Sequence, residues 1–286
     1  MTEQVVEEPV VDERSEVVDD VADADTTSYV TRQPREHPRW LGGAIGIVGL
    51  LVIWQLLAAT IWNEPNPSVP SPTAILGQMS DDGLDFYWRN LRVTASAAFW
   101  GWLWGNLLAI VMALVFVQIP IIEKALLKVA VAVYCLPIIA IGPILQIRYE
   151  GSTPKIILAA LSVYFTTLIG AIVGLRSADK TSLDVVRAYG GGSVTQLRRV
   201  RLRASLPSLF AALRIAAPAA VLGALIGEYL GADSGLGVAM INSQQALEIE
   251  RTWAIALVAT ALAGVAYGIT ALVGRLCTPW APRNAR

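Results

Sequence analysis

Six stretches of this chain stay apolar for roughly 20 residues each, the length that carries a helix across the hydrocarbon core of a bilayer at about 1.5 Å per residue. They run Leu41–Ile61, Val93–Val117, Val129–Ile147, Lys155–Leu175, Leu209–Leu230 and Thr252–Val273. Stretches such as Gly43 to Leu57 are apolar on every side, whereas a lipid-facing barrel would show shorter segments alternating between apolar and polar. Hydrophobic residues make up 55% of the chain, charged residues 16%, and mean hydropathy is +0.54, which leaves too little charge for the surface of an ordinary soluble domain. The expected fold is therefore all-α and integral to the membrane, with about six spanning helices. Pro137, Pro143 and Pro218 fall inside the third and fifth spans and predict kinks there.

Orientation follows from where Lys and Arg collect, because cytoplasmic loops retain positive charge. Arg32, Arg35 and Arg39 precede the first span, Lys124 and Lys128 the third. Arg176, Lys180, Arg187, Arg198, Arg199, Arg201 and Arg203 fill the connection between the fourth and fifth, and Arg275, Arg283 and Arg286 follow the sixth. With six spans these all fall on one side, so both termini are expected in the cytoplasm. The opposite connections carry Glu64, Asp81, Asp82, Asp85, Asp233, Glu248 and Glu250.

Two domains are expected: an acidic, disordered cytoplasmic tail over residues 1–39 and a transmembrane domain over 40–286, with its core at 93–276. From Glu3 to Asp25 the tail is crowded with Asp and Glu, holds no Lys, and has only scattered Val and Ala from which to build a core. A secretory signal peptide is not expected, since the first apolar stretch begins near Trp40 and is long enough to span. Cys135 and Cys277 are too few and too far apart for a disulfide framework or a zinc site. His37, the single histidine, sits in the tail, so neither a His-based metal site nor a His general base is available in the membrane. In the first outer connection, Asn63 to Pro67 with Pro70 and Pro72 resists helix, while Pro72 to Tyr87 suits a short amphipathic helix at the interface, anchored by Tyr87 and Trp88.

The connection over residues 177–207 is long and basic. It reads as helix, glycine break, helix: Asp184, Val185, Val186, Arg187, Ala188 and Tyr189 lead into Gly190, Gly191 and Gly192, and Ser193 restarts the helix. Thr181, Ser182 and Asp184 are candidate caps for the first limb. In the second, Val194, Leu197, Val200 and Leu202 interleave with Arg198, Arg199, Arg201 and Arg203, which suggests a short amphipathic helix lying across the cytoplasmic surface.

At this loop the sequence resembles the permeases of ABC-type importers. Their cytoplasmic loop has Glu-Ala-Ala, three residues, Gly, nine residues, Ile, one residue, Leu-Pro. Here Asp184, Val185 and Val186 stand at the acidic-small-small positions, Gly190 on the glycine, and Val200 and Leu202 on the two apolar positions; Arg203 replaces the proline, and Pro207 follows. Ser71-Pro72, Leu136-Pro137, Gly142-Pro143, Leu213 to Ala216 and the run Glu228 to Gly237 resemble the nitrate, sulfonate and taurine branch of the binding-protein-dependent type I permeases. The resemblance implies a type I importer permease fold in a bacterial inner membrane, paired with a second permease copy, a homodimer in preference to a heterodimer. It also implies two ABC ATPase subunits that hold ATP and Mg, and an extracytoplasmic solute-binding protein. The chain itself has no Gly-x-x-x-x-Gly-Lys-Ser/Thr phosphate loop, and Gly190-Gly191-Gly192 lacks the following Lys, so the triplet reads as a hinge and no enzymatic activity is expected of this chain. By the same resemblance Asp184, Val185, Val186, Ala188, Gly190, Val200 and Leu202 form the ATPase-coupling loop. Membrane lipid is the other expected partner, and nucleic acid is not one.

Glu228 is the one carboxylate within the expected spans. Either it is structural, paired with an Arg such as Arg92 or Arg148 or with backbone donors of the Gly231–Gly237 turn, or it belongs with Gly235, Gly237, Pro137 and Gln146 to an outer gate or translocation path. Tyr164, Thr166 and Thr167 suit either that path or helix-to-helix hydrogen bonds. Trp100, Trp102 and Trp104 suit packing or lipid contact. A secondary carrier or channel is the main alternative, but it would need ionisable groups in mid-span, of which these spans offer nearly none. A scaffold without transport would leave the basic loop unexplained. An impermeant thiol reagent should label cysteines placed at Arg198 and Arg199 only from the cytoplasmic side, and labelling from the exterior would invert the topology.

Overall fold

The computed structural model describes residues 39–60 and 68–280. The acidic tail up to His37, Asn63 to Pro67, Arg283 and Arg286 lie outside the described residues. By its contacts the chain divides into a unit up to Leu50 and a unit from Leu51 onward. Of the first, the described part is the opening of helix α1 (Arg39–Thr60), in which Ile45, Ile47, Val48 and Leu50 are exposed.

In the second unit every regular element among the described residues is helical, as the apolar runs require. Helix α2 (Pro72–Gln118) starts on Ser71, whose Oγ accepts from the Ala74 N–H at 3.2 Å, with Pro72 in the first turn where its missing N–H costs nothing. The expected interfacial helix is the opening of α2 rather than a separate element. Gly83 marks the join: its φ of 75° breaks the helical path without ending the helix. Pro120 then opens α3 (Pro120–Tyr134), and α4 (Ile138–Arg148) follows Pro137.

The third expected span is therefore two limbs bent by 92° rather than one kinked rod. Pro137 is the cause, since it offers no N–H to continue the ladder and disfavours helical geometry at Leu136. Pro143 and Pro218, by contrast, sit inside helices that continue past them. Helix α5 (Thr153–Arg176) is followed by short α6 (Lys180–Ala188) and α7 (Ser193–Gln196). A π-helical turn over Leu197–Arg201 joins α7 to α8 (Leu202–Tyr229). Then come α9 (Leu236–Gln245) and α10 (Ile249–Cys277). Four of these stretches are long and apolar enough to cross a membrane: α2, α5, Ser193–Tyr229 and α10. The bent α3–α4 pair supplies a fifth if its limbs form one broken span, and in α1 the apolar helix Ile45–Thr60 is shorter.

Small residues line several of the helix contacts, beside large buried ones such as Phe116, Leu158 and Leu168, and many large apolar side chains face outward. Ala97, Ala98, Ala159, Val221 and Ala224 form one buried cluster, while Leu107, Leu108, Val111, Ile215, Leu222, Val265 and Ile269 are exposed. In lipid there is little hydrophobic drive between helices, so close packing must hold them, and small residues let backbones approach. Gly105 illustrates the tightness: a Cβ there would lie 2.6 Å from the Ala160 carbonyl oxygen. Polar side chains add a cross-link. Trp102 Nε1 donates to the Leu213 carbonyl at 3.3 Å, Asn106 Nδ2 to the Trp102 carbonyl, and Thr167 Oγ1 to Asn106 Oδ1 at 2.5 Å, so α8, α2 and α5 are joined in series. Thr167 and Trp102 thus act as helix-to-helix bonders, whereas Trp100 and Trp104 are exposed on the outer surface of α2.

Gly105→Leu should destabilise the purified protein by about 1–3 kcal/mol or more through overpacking at the α2–α5 contact. Gly264→Ala on α10, where an added Cβ meets nothing within 4 Å, should not. Thermal unfolding in detergent compares the two.

Candidate functional site

Glu228 lies one residue before the end of α8 and is buried, with a relative exposure of 1%. Its carboxylate accepts from Thr94 Oγ1 on α2 at 2.8 and 3.0 Å and from the Gly237 N–H in the first turn of α9 at 2.9 Å. Lys155 Nζ, from the first turn of α5, stands 3.7 Å away and donates to the Ser234 carbonyl at 3.2 Å. Thr94 Oγ1 also accepts from the Leu236 N–H at 2.8 Å. The acid thus meets a hydroxyl, a lysine and the positive end of a ten-residue helix, which together compensate a charge that bare burial would strongly disfavour. Gly235, at φ 129°, must be glycine, because any Cβ would collide with the Glu228 carboxyl group. Gly237 is restricted as well: its Cβ would come 2.7 Å from the Leu225 carbonyl oxygen.

Of the residues the sequence offered for a gate or path, then, Glu228, Gly235 and Gly237 form one cluster. The expected pairing with Arg92 or Arg148 is replaced by Lys155, and only the backbone donor was expected correctly. Gln146 lies beside the cluster, its Nε2 donating to the Gly227 carbonyl at 3.2 Å. Pro137 stands apart at the α3–α4 elbow.

A second polar cluster holds the interfacial opening of α2 to the start of α10. Asp82 accepts from Arg251 at 2.6 and 2.8 Å, from Tyr87 Oη at 2.6 Å and from Gln78 at 2.8 Å, while Arg251 also pairs with Glu248.

On the basic side, α6 has no buried residue. Asp179, rather than Thr181, Ser182 or Asp184, caps it, accepting from the Ser182 N–H at 3.0 Å. At its other end the Gly190 N–H reaches the Arg187 carbonyl and the Gly191 N–H the Val186 carbonyl, both at 2.8 Å, a Schellman closure with Gly190 at φ 77°. The glycine break is therefore a defined corner. Gln196, buried, donates to the Leu183 carbonyl at 3.3 Å and braces the two limbs. The second limb is not a separate surface helix, because α7, the π-turn and α8 run on without a break. Asp184, Val185, Val186 and Ala188 lie on α6 and Gly190 at the corner, while Val200 is in the π-turn and Leu202 opens α8. Val185, Tyr189 and Val194 are exposed, Tyr189 at 90%. Arg176, at the end of α5, pairs with Glu123 of α3 at 2.5 Å.

Residues 105–279 match the family described as "Binding-protein-dependent transport system inner membrane component". The chain belongs to this family. It is 32% identical over 214 residues, 74% of this chain and 86% of the relative, to a probable ABC transporter permease protein of Haemophilus influenzae. To the riboflavin transport system permease protein RibX of Chloroflexus aurantiacus it is 30% identical over 84% of this chain and 90% of the relative. A putative aliphatic sulfonates transport permease protein, SsuC of Escherichia coli, is 25% identical over 82% of this chain and 90% of the relative, which bears out the sulfonate branch. The inward-facing MetNI methionine ABC transporter shares the fold, with a TM-score of 0.54 and 19% identity, covering 67% of this chain and 94% of that one. This permease is accordingly a multi-pass membrane protein and a transport subunit of an ABC transporter, with the type I permease fold.

Sequence reasoning missed Lys155, Thr94, Asn106 and the Asp82–Arg251 pair in this permease. A lysine directly after Pro154 at the mouth of an apolar run was the available signal for the first.

Replacing Lys155 by Met should destabilise the purified permease by about 3–5 kcal/mol, because it leaves the buried Glu228 carboxylate without its cation. Adding Glu228→Gln should recover most of that loss, as measured by denaturation of both variants in detergent.

Proposed function

We propose that this permease forms half of the path by which a small polar solute, delivered by an extracytoplasmic binding protein, is imported across a bacterial inner membrane. Two ATPase subunits, which carry the ATP and Mg, drive the cycle from the cytoplasm, and a second copy of this chain completes the path. The observation that carries this reading is α6. A nine-residue helix with no buried residue, held to the chain at the corner that Gln196 braces and exposing Val185 and, at its cap, Tyr189, suits a groove on a partner.

The corner beside it suits a lever. Gly190 and Gly191 close α6 tightly, Gln196 braces the turn, and the second limb continues into α8. Over its 28 residues α8 spans about 40 Å and ends at the Glu228 cluster. Closure of the ATPase pair would therefore shift a helix that reaches the opposite face, and alternating access needs only two packings of such helices, each favoured by a different nucleotide state. In this reading Asp184, Val185, Val186 and Ala188 present the docking face, Gly190 sets the corner, and Val200 and Leu202 couple it to the span. Glu228, Gly235 and Gly237 fix the outer end.

Gly190→Val tests the lever. An added Cβ would meet nothing within 4 Å, so the substitution acts on the φ of 77° alone. In proteoliposomes with the ATPase and binding protein, uptake should fall at least about tenfold for each ATP hydrolysed, since a cost of about 1.4 kcal/mol at the corner corresponds to a factor of ten. Unchanged coupling would refute the reading.

A further inference from the structure

At the outer ends of α4, α5 and α8 lies a polar cleft of ≈ 380 Å³. Its wall includes Gln146, Tyr149, Glu150, Lys155 and Asp233. Lys155 is the one cation among the lining residues, and its exposure is 4%. That charge is already committed, since Nζ faces Glu228 and donates to the Ser234 carbonyl. Glu150 and Asp233 are exposed at the rim and have no ion-pair partner among the described residues. The nearest cation in sequence, Arg148, lies over the Tyr149 ring at 5.4 Å and does not line the cleft. Lys155, Glu228, Glu150 and Asp233 together leave an excess of two negative charges, or one if Arg148 is counted. A concave site edged by low-dielectric helices concentrates such a field.

We propose that this cleft is where solute first meets the permease, and that it admits a hydrogen-bonding solute without net negative charge. This rests on the importer reading and narrows it. The Gly231 and Ala232 N–H groups are held by the Glu228 carbonyl and Gln146 Nε2 by the Gly227 carbonyl. That leaves Gln146 Oε1 and the turn's carbonyls to accept hydrogen bonds from solute beside the Tyr149 ring, and no uncommitted cation among the lining residues is available to hold a sulfonate or carboxylate. The anions implied by resemblance to the nitrate and sulfonate branch are thus disfavoured at this step.

The test reads the charge of the cleft directly. Ala232, a half-buried lining residue, is replaced by Cys in the full-length permease after Cys135→Ser and Cys277→Ser. The probes are two methanethiosulfonates of similar size, one ending in a trimethylammonium and the other in a sulfonate. After division by their rates with a free thiol in solution, the cationic reagent should react at least about tenfold faster, and the preference should shrink as salt rises. Glu150→Gln with Asp233→Asn should bring the ratio close to one. Equal rates in the parent, a preference for the sulfonate, or no reaction with either reagent would overturn the proposal. These rates are read on the permease alone and the uptake of Gly190→Val on the assembled transporter, so failure of the importer reading and failure of the charge selection are distinguished.

Discussion

A single carboxylate near the outer end of the bundle has to be compensated, and much of the structure is arranged around that requirement. Glu228 draws a hydroxyl from α2, an ammonium from α5 and a main-chain N–H from α9, so three helices besides its own converge on two oxygen atoms. The same requirement restricts its neighbours. Gly235 and Gly237 have no side chain because the carboxylate and the end of α8 occupy that space. The Ser234 carbonyl is held by the lysine that balances the acid. Below this level alanine and glycine contacts alternate with large buried side chains such as Leu158, Val163, Leu168 and Phe116, and apolar packing of either kind gives less orientation than hydrogen bonds do. The polar cluster and the Trp102–Asn106–Thr167 series are what make one arrangement of the helices preferable to a slid or rotated one.

Both regions of interest lie on one continuous stretch of helix. The basic corner at Gly190 and Gly191 stands at its start and the Glu228 cluster at its end, with the alanine-lined contacts to α5 and α2 between them. Under the importer reading this continuous helix is the mechanical path between the two faces, and its contacts through small residues such as Ala216, Ala220 and Ala224 let it shift without tearing out large interdigitated side chains. Relatives matched across 74–84% of the chain are ABC transporter permeases.

Much of this was legible in the residues, for reasons that can be named. Apolar run length reveals spans because lipid admits only helices or closed barrels. The left-handed corner was legible at Gly190 because few other residues take that conformation. The break at Pro137 was anticipated in position but not in size, since a proline fixes where a ladder fails and not how far the chain then turns. What stayed hidden is long-range pairing. Lys155 and Glu228 are far apart in the sequence, and the arginines closest to the outer surface looked the better partners until the packing of α5 on α8 was known. Asn106 and Thr94 were hidden for the same reason, as short polar side chains whose value depends wholly on which helix faces them. The continuity of α7 with α8 escaped notice because arginines interleaved with apolar residues look like the end of a span, although long basic side chains extend readily past the edge of a membrane.

The π-turn at Leu197–Arg201 lies between the basic corner and the long helix α8. A π-turn holds one residue more than the α-helical turn it replaces, and one residue is worth about 100° of rotation around a helix axis. The wider turn absorbs that extra residue, so the two limbs it joins keep the bearing that an uninterrupted α-helix would give them, whereas a residue added or removed elsewhere in the run would rotate one limb against the other by about 100°. The extra residue is thus taken up within Leu197–Arg201, and the side chains from Leu202 onward meet their neighbours undisturbed by it.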